Sequence, residues 1–231
     1  MKRFVFLIIC LLLINIVYAQ QEKLKVIEET SNLIIYYPQY SDIDLVCGNM
    51  PVKEDESVLF CCEAAFTGQL LEVFKHSNIA GHHVSGGKFY RGYSCRPNTG
   101  CFVYYQNKWK FLLHNYAVEL RLAAENGGMG FGQNMIIYNG KTQPSFRKLH
   151  SKFQYRALCE YRGKLCVIDS KEVVSYASFI ASLENIGVTH ALYLDMGRGW
   201  NHSWYRGNDG KVVEIHPKTH SYTTNWLVFK K

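Results

Sequence analysis

Beyond residue 17 the chain has no apolar run long enough to form a membrane-spanning helix, which takes roughly 20 residues. This excludes a bundle of spanning helices. No internal repeat, low-complexity tract or Pro/Ser-rich linker interrupts residues 20–231, and with five prolines in the whole chain the simplest parse is one continuous domain. No C-x-x-C pair occurs, so neither a zinc-ribbon nor a thioredoxin-type redox site is signalled. A strong charge imbalance is missing as well. The formal net charge is +7 and the cations are scattered, the densest group being Lys108, Lys110, Arg147, Lys148 and Lys152. Such a surplus marks a solvated surface open to anionic ligands, and no nucleic-acid partner is expected.

What is present begins with Met1-Lys2-Arg3, an apolar stretch over residues 4–17, and Val17-Tyr18-Ala19 ahead of Gln20. Two cations, an apolar core of about 14 residues and a small residue at the junction form the pattern of a cleavable secretory signal. Residues 1–19 are therefore expected to be removed, leaving a secreted or periplasmic domain over residues 20–231 with no stable membrane insertion. That domain keeps Cys47, Cys61, Cys62, Cys95, Cys101, Cys159 and Cys166, an odd number, so at least one thiol stays unpaired. Export permits disulfides. Cys95 and Cys101 flank a turn-forming Arg-Pro-Asn-Thr-Gly, and Cys159 and Cys166 would face each other across a hairpin at Arg162-Gly163; each is a candidate pair. Cys61 and Cys62, adjacent in one strand, point to opposite faces and should not bond to each other.

Sixteen tyrosines and thirteen phenylalanines favour strands. Candidate strands cover residues 32–37, 44–47, 58–64, 101–105, 109–113, 135–138, 155–160, 164–169, 190–195, 212–216 and 225–229. Turn signals lie at Gln106-Asn107, Arg162-Gly163 and Asn208-Asp209-Gly210. Two helices are legible, over residues 115–125 and 175–186, each with a glycine behind it. The expected class is α/β (mixed α+β), a strand-rich mixed sheet under a few covering helices. It includes a βαβ-like unit over residues 164–195, which would deliver Asp169 and Asp195 to the carboxyl ends of its strands, where ligands gather.

The most informative segment is Leu194-Asp195-Met196-Gly197-Arg198-Gly199-Trp200-Asn201, a buried strand that ends on an acid and opens into a loop whose glycines allow close backbone approach to a ligand. A Leu-Asp strand end followed by a glycine-rich loop resembles the phosphodiester glycosidase family. The likeness extends to Tyr155-Arg156-Ala157-Leu158, similar to that family's Arg-Thr-Ala strand, to residues 133–140, similar to its Gln-plus-Asn-Gly hairpin, and to Cys62-Glu63-Ala64-Ala65-Phe66, similar to its Asn-Gly-Gly-Phe strand. Two glycines and both serines of the family's Leu-Asp-Gly-Gly-Gly-Ser-Ser loop are replaced here, and Glu63-Ala64-Ala65 stands for Asn-Gly-Gly. The resemblance implies residues 20–231 as a phosphodiester-glycosidase-like domain and a hydrolase acting on a glycan or sugar-phosphate substrate. A non-enzymatic glycan-binding protein on the same fold is the alternative.

Cleaving a sugar phosphodiester at the anomeric carbon needs a carboxylate near that carbon and cations on the phosphate. Glycoside hydrolases commonly use two carboxyl groups, and a phosphate, already a good leaving group, lightens the demand for an acid. Asp195 is the first candidate for the carboxylate, Glu63 the second, and Asp169 the third, placed with the substrate-binding residues. His202 is a candidate proton donor or phosphate partner. Arg156 is the candidate phosphate clamp, because its planar fork matches two phosphate oxygens. Arg198, Gly197, Gly199 and Asn201 complete the substrate-binding set. No cofactor is called for, though a divalent metal has room. His82-His83 lacks an acid at ligand spacing and reads as structural. The run Gly127-Gly-Met-Gly-Phe-Gly132 leads into a strand instead of a helix, so it forms no nucleotide loop.

Overall fold

The structure, a computed structural model, describes residues 27–66, 79–92, 99–145, 147–196, 201–217 and 224–231. Residues 1–19, the expected secretory signal, and Cys95, one half of an expected disulfide, lie outside these. Among the described residues no helix is long and apolar enough to cross a membrane.

Two antiparallel sheets carry the chain. The larger is ordered β1 (Ile27–Glu29), β2 (Leu33–Tyr36), β13 (Lys164–Ser170), β12 (Arg156–Tyr161), β15 (His190–Leu194), β9 (Met129–Tyr138), β5 (His83–Ser85) and β6 (Lys88–Tyr90). The pair β7 (Thr99–Tyr105) and β8 (Lys108–Leu113) docks on β9, as does the short β10 (Lys141–Thr142). The smaller sheet runs β17 (Val212–His216), β16 (Ser203–Arg206), β4 (Val58–Glu63), β18 (Thr224–Lys230) and β3 (Asp42–Gly48). A further two-stranded sheet pairs β11 (Lys152–Phe153) with β14 (Val174–Ser175). Helix α1 (Ala117–Glu125) covers β5, β7 and β9, and α2 (Tyr176–Ile186) covers β12, β13 and β15.

Local chemistry sets the turns. Gln106 and Asn107, Asn139 and Gly140, Arg162 and Gly163, and Gly86 and Gly87 all have positive φ. Two successive left-handed residues make the tight turn whose twist matches a right-handed strand pair. α2 begins at Ser175, whose hydroxyl accepts the Ser178 N–H at 3.0 Å, and ends at Gly187 with φ of 84°.

The core follows from alternation. Between the sheets lie Tyr36, Leu45, Phe60, Cys62, Phe102, Leu158, Val167, Leu192, Leu227 and Phe229. Residues one step away on the same strands, Ala157, Cys159, Ile168, Ala191 and Tyr193, face α2 through Tyr176, Phe179, Ile180 and Leu183. Strands buried on both faces need no polar side, which is why β12 and β13 read as nearly continuous apolar runs.

The expected α/β class is corrected. Among the described residues the chain is mostly β, with two helices, and every strand pairing is antiparallel, so the sheet is not mixed. The physical reason is the hairpin at Arg162-Gly163, which lays β12 along β13 before the chain enters α2. The free edge left for β15 is the far side of β12, where Ala157 opposes Tyr193 and Leu158 opposes Leu192. β13 and β15 thus run parallel to each other with antiparallel β12 between them, a split version of the expected unit. Cys159 and Cys166 stand opposite one another in register, yet both are free thiols, and the Cys166 thiol donates weakly to the Cys159 carbonyl at 3.6 Å.

The glycine run enters β9 as anticipated. A β-carbon on Gly128 would sit 2.2 Å from the Tyr104 carbonyl oxygen and 2.5 Å from Tyr105 Cβ. Because the first obstacle is backbone, Gly128→Ala is expected to lower the unfolding free energy by about 1–3 kcal/mol, measured by urea denaturation; an unchanged midpoint would show that β7 and β9 are not this close.

Candidate functional site

Glu63, Arg156, Asp195 and His202 meet at one end of the two sheets through their backbones. Arg156 opens β12, opposite Leu194 in β15 and Asp169 in β13. The Asp195 N–H donates to the Ala64 carbonyl at 2.9 Å, and the Glu63 N–H donates to the His202 carbonyl at 3.3 Å. Here the exit of β15 in the large sheet is tied to the exit of β4 in the small one. Asn225 secures the crossing: its side-chain oxygen accepts the Ala65 N–H at 2.6 Å, and its amide donates to the Ala65 carbonyl at 2.9 Å.

The side chains, however, divide among three environments. Between the sheets, Arg156 donates from Nε and Nη2 to the two oxygens of Asp169, each at 2.6 Å, with side-chain exposures of 0% and 4%. Around this pair stand Cys62, Tyr36 and His216. Burial pushes the Cys62 thiol up to about 12 despite the nearby Arg156 charge, and raises the Tyr36 phenol, with Asp169 adding to the rise. Burial, then the Arg156 charge, holds the His216 imidazole below its ordinary range.

On the outer side of the small sheet, Glu63 alternates in step with Cys61 and opposes Trp226. The His202 ring lies 6.1 Å from the Trp226 ring. Glu63 and His202, both buried, therefore flank one indole. On the helix side, Asp195 is buried beside Tyr193, whose phenol is raised by burial, lowered by Arg147 and raised by Asp195. The Arg147 guanidinium sits 4.1 Å over the Tyr193 ring, and the Tyr193 hydroxyl accepts the Met196 N–H at 3.2 Å. Asn134 donates to the Tyr176 hydroxyl at 3.0 Å nearby.

The candidate clamp Arg156 and the candidate ligand residue Asp169 thus bind each other, and Nη1 is the guanidinium nitrogen left without a hydrogen bond among the described residues. Gly197, Arg198, Gly199 and Trp200 lie outside the described residues; Asn201 is half-buried at the edge of the site. Arg147 is the cation that the sequence reading did not assign to the site. Its membership in the densest cation group was the available signal. His82 and His83 act structurally: His82 accepts the Gly92 N–H at 3.0 Å, and His83 stacks on Tyr90 with centroids 5.0 Å apart. Among the described residues no cluster of three or more His, Cys, Asp or Glu side chains could hold a metal ion.

No protein-family model matches the chain, and no curated sequence does either. Among solved structures it is similar to the catalytic domain of zebrafish N-acetylglucosamine-1-phosphodiester alpha-N-acetylglucosaminidase, auto-inhibited by its pro-peptide. The TM-score is 0.60 at 11% identity, over 86% of this chain and 76% of the other. The two share a fold.

Removing one partner of the Arg156–Asp169 pair strands a buried charge, so Asp169→Leu alone is expected to cost about 3–5 kcal/mol of stability, while Arg156→Met with Asp169→Leu recovers most of it. Denaturant midpoints of the three proteins check this; equal loss in single and double variants would contradict the pairing. For His216, a lowered folded pKa means that the unfolded chain binds more protons near pH 6, so His216 takes stability away as pH falls below the unfolded value. The slope of stability between pH 5 and pH 7 should be shallower in His216→Asn than in the unsubstituted protein.

Proposed function

We propose that the chain is an exported hydrolase of the phosphodiester glycosidase type, acting on a sugar-phosphodiester or related glycan linkage. One observation supports this above others: in a fold shared with a catalytic domain of that activity, two buried carboxylates and a histidine come from three strand ends whose backbones are hydrogen-bonded, Asp195 to Ala64 and Glu63 to His202. Sites on strand ends hold their geometry better than sites on free loops.

In this reading the bond that breaks joins the anomeric carbon to the phosphate oxygen. Ionised Asp195 stabilises the positive charge that develops on the sugar as the phosphate departs. Water supplies the oxygen that ends on the anomeric carbon, and its proton passes to the departing phosphate, while Glu63 and His202, on the outer face of the small sheet, hold the strand end to which Asp195 is tied. Arg147 carries the phosphate charge, and Arg198, Gly197, Gly199 and Asn201 remain the further substrate-binding candidates of the sequence. Arg156 and Asp169 fix the strand ends below them. Release of a diester phosphate needs little proton donation, which suits a site whose acids are set apart by environment.

The test is release of N-acetylglucosamine from an N-acetylglucosamine-1-phosphodiester by the protein and its Asp195→Asn variant. The expected result is loss of three or more powers of ten in rate with the fold retained, since charge is removed and shape kept. Equal rates in the two would move catalysis to Glu63. Glycan binding without turnover in either would favour the non-enzymatic reading, to which the replaced serines and glycines after Asp195 lend support.

A further inference from the structure

At the opposite end of the sheets lies a cleft of about 740 Å³ that the proposed reaction does not use. It falls within the size that small ligands occupy, roughly 300–1,000 Å³. β12 runs from Arg156 at the first site to Tyr161 beside the cleft, which at about 3.3 Å per residue separates them by roughly 17 Å. Its walls come from the connection between β2 and β3, the start of β4, the Arg162-Gly163 hairpin and the loop after β16.

The lining has a definite chemistry. Tyr37, Tyr40 and Trp109 supply aromatic surface, and Lys164, Arg206 and Lys231 supply charge, while among the described residues no carboxylate side chain lines the cleft. The rings are held in place. Trp109 packs edge-on against Phe111 at 5.9 Å, and Tyr40 sits edge-on to Phe229 at 5.3 Å. Arg206 spends its donors on the carbonyls of Val58, Gly210, Lys53 and Asp55, at 2.7–3.1 Å. Bonding to neutral carbonyls rigidifies the loop and leaves the positive charge in place. Asp55, whose carboxyl the Ser57 hydroxyl and amide hold below its ordinary range, is not on the wall. Lys164 and Lys231 are exposed and form no ion pair among the described residues.

We propose that this cleft is a second binding site, for an acidic oligosaccharide. The half-exposed rings of Tyr40 and Trp109 present apolar faces to the C–H face of a pyranose, and three cations, with no acid on the wall among the described residues, select a sulfated or carboxylated sugar over a neutral one. The site is independent of the hydrolase reading: its occupant would hold the protein on a polyanionic glycan while the other end of the sheets stays free.

The test is titration of the full chain with a heparin-derived tetrasaccharide and, separately, with maltotetraose, by calorimetry. Expected are binding of the heparin fragment that weakens with added salt, no measurable binding of maltotetraose, and a loss of affinity of about tenfold or more in Trp109→Ala. Lys164→Glu, at the exposed first position of β13, should produce a similar loss. Phosphodiester turnover should be the same in both variants as in the unsubstituted protein. No binding of the heparin fragment, equal binding of maltotetraose, or heparin binding unchanged by both substitutions would overturn the proposal, the last by moving the contact to the Arg147–Lys152 surface. Because binding is read directly, absence of sugar release leaves this inference intact, and absence of tetrasaccharide binding leaves the hydrolase reading intact.

Discussion

Arg156 has no exposed surface, and a guanidinium cannot be buried alone: the cost of removing it from water is several kcal/mol even after relaxation. Asp169 supplies the required partner, with two charge-assisted bonds of 2.6 Å in the parallel fork that carboxylate and guanidinium geometry allow. Those bonds demand that β12 and β13 meet with residues 156 and 169 opposite each other. A slip of one residue would send the acid to the helix side of the sheet and leave the cation unpaired. The pair therefore enforces the register of the central hairpin at the end where the site lies, while apolar contacts along the rest of the hairpin specify it only by alternation. Replacing both with apolar residues should cost little energy, so their contribution is to uniqueness of alignment.

With that register set, the positions of the remaining site residues follow. Leu194 opposes Arg156, so Asp195 is the first residue beyond the sheet, and its N–H has no strand partner left within the large sheet. It finds one in the Ala64 carbonyl of the small sheet. Glu63, one residue earlier in β4, is thereby placed within a peptide unit of that crossing, and His202 is placed by the bond between its carbonyl and the Glu63 N–H. Three acids and one base at a single end of the sheets are thus a consequence of strand register and of backbone hydrogen bonding, without any direct bond between their side chains being needed.

Much of this was legible in the sequence for identifiable reasons. Arg162-Gly163 and Gln106-Asn107 announced turns because Gly163 and Asn107 accept positive φ at little cost; Ser175 and Gly187 bounded α2 through capping chemistry. Asp195 stood out as an acid closing an apolar run. β16 escaped notice because Ser203-Trp-Tyr-Arg206 is four residues long and shows no alternation; β5 and β6 are three residues each. The mixed-sheet expectation failed at a point no local pattern encodes. Strand, helix, strand reads the same whether the second strand docks beside the first or across an intervening hairpin partner, and the deciding fact is which edge is already occupied. Arg156 and Asp169 were each visible as polar residues in apolar strands, but their mutual pairing depends on register, which sequence spacing around a turn fixes only if the turn is known to be two residues long.

The two ends of the sheets differ in what their charges are free to do. At the Asp195 end, charge is buried and internally committed: Arg156 to Asp169, Arg147 over the Tyr193 ring, the acids within hydrogen-bonded strand exits. Charges in such a place are preorganised and act strongly over short distances because little water screens them. At the other end, Lys164 and Lys231 are exposed, Arg206 is tied to carbonyls, and the rings of Tyr40 and Trp109 are half-buried. Charges there are screened and act as a field more than as individual contacts, which suits weak, salt-sensitive capture. A polymer long enough to span roughly 17 Å could engage both ends, the outer one by field and stacking, the inner one by fixed dipoles and a carboxylate. On the proposed reading, the wet end would govern how often a chain of sugars meets the protein, and the dry end would act on the one linkage that reaches Asp195.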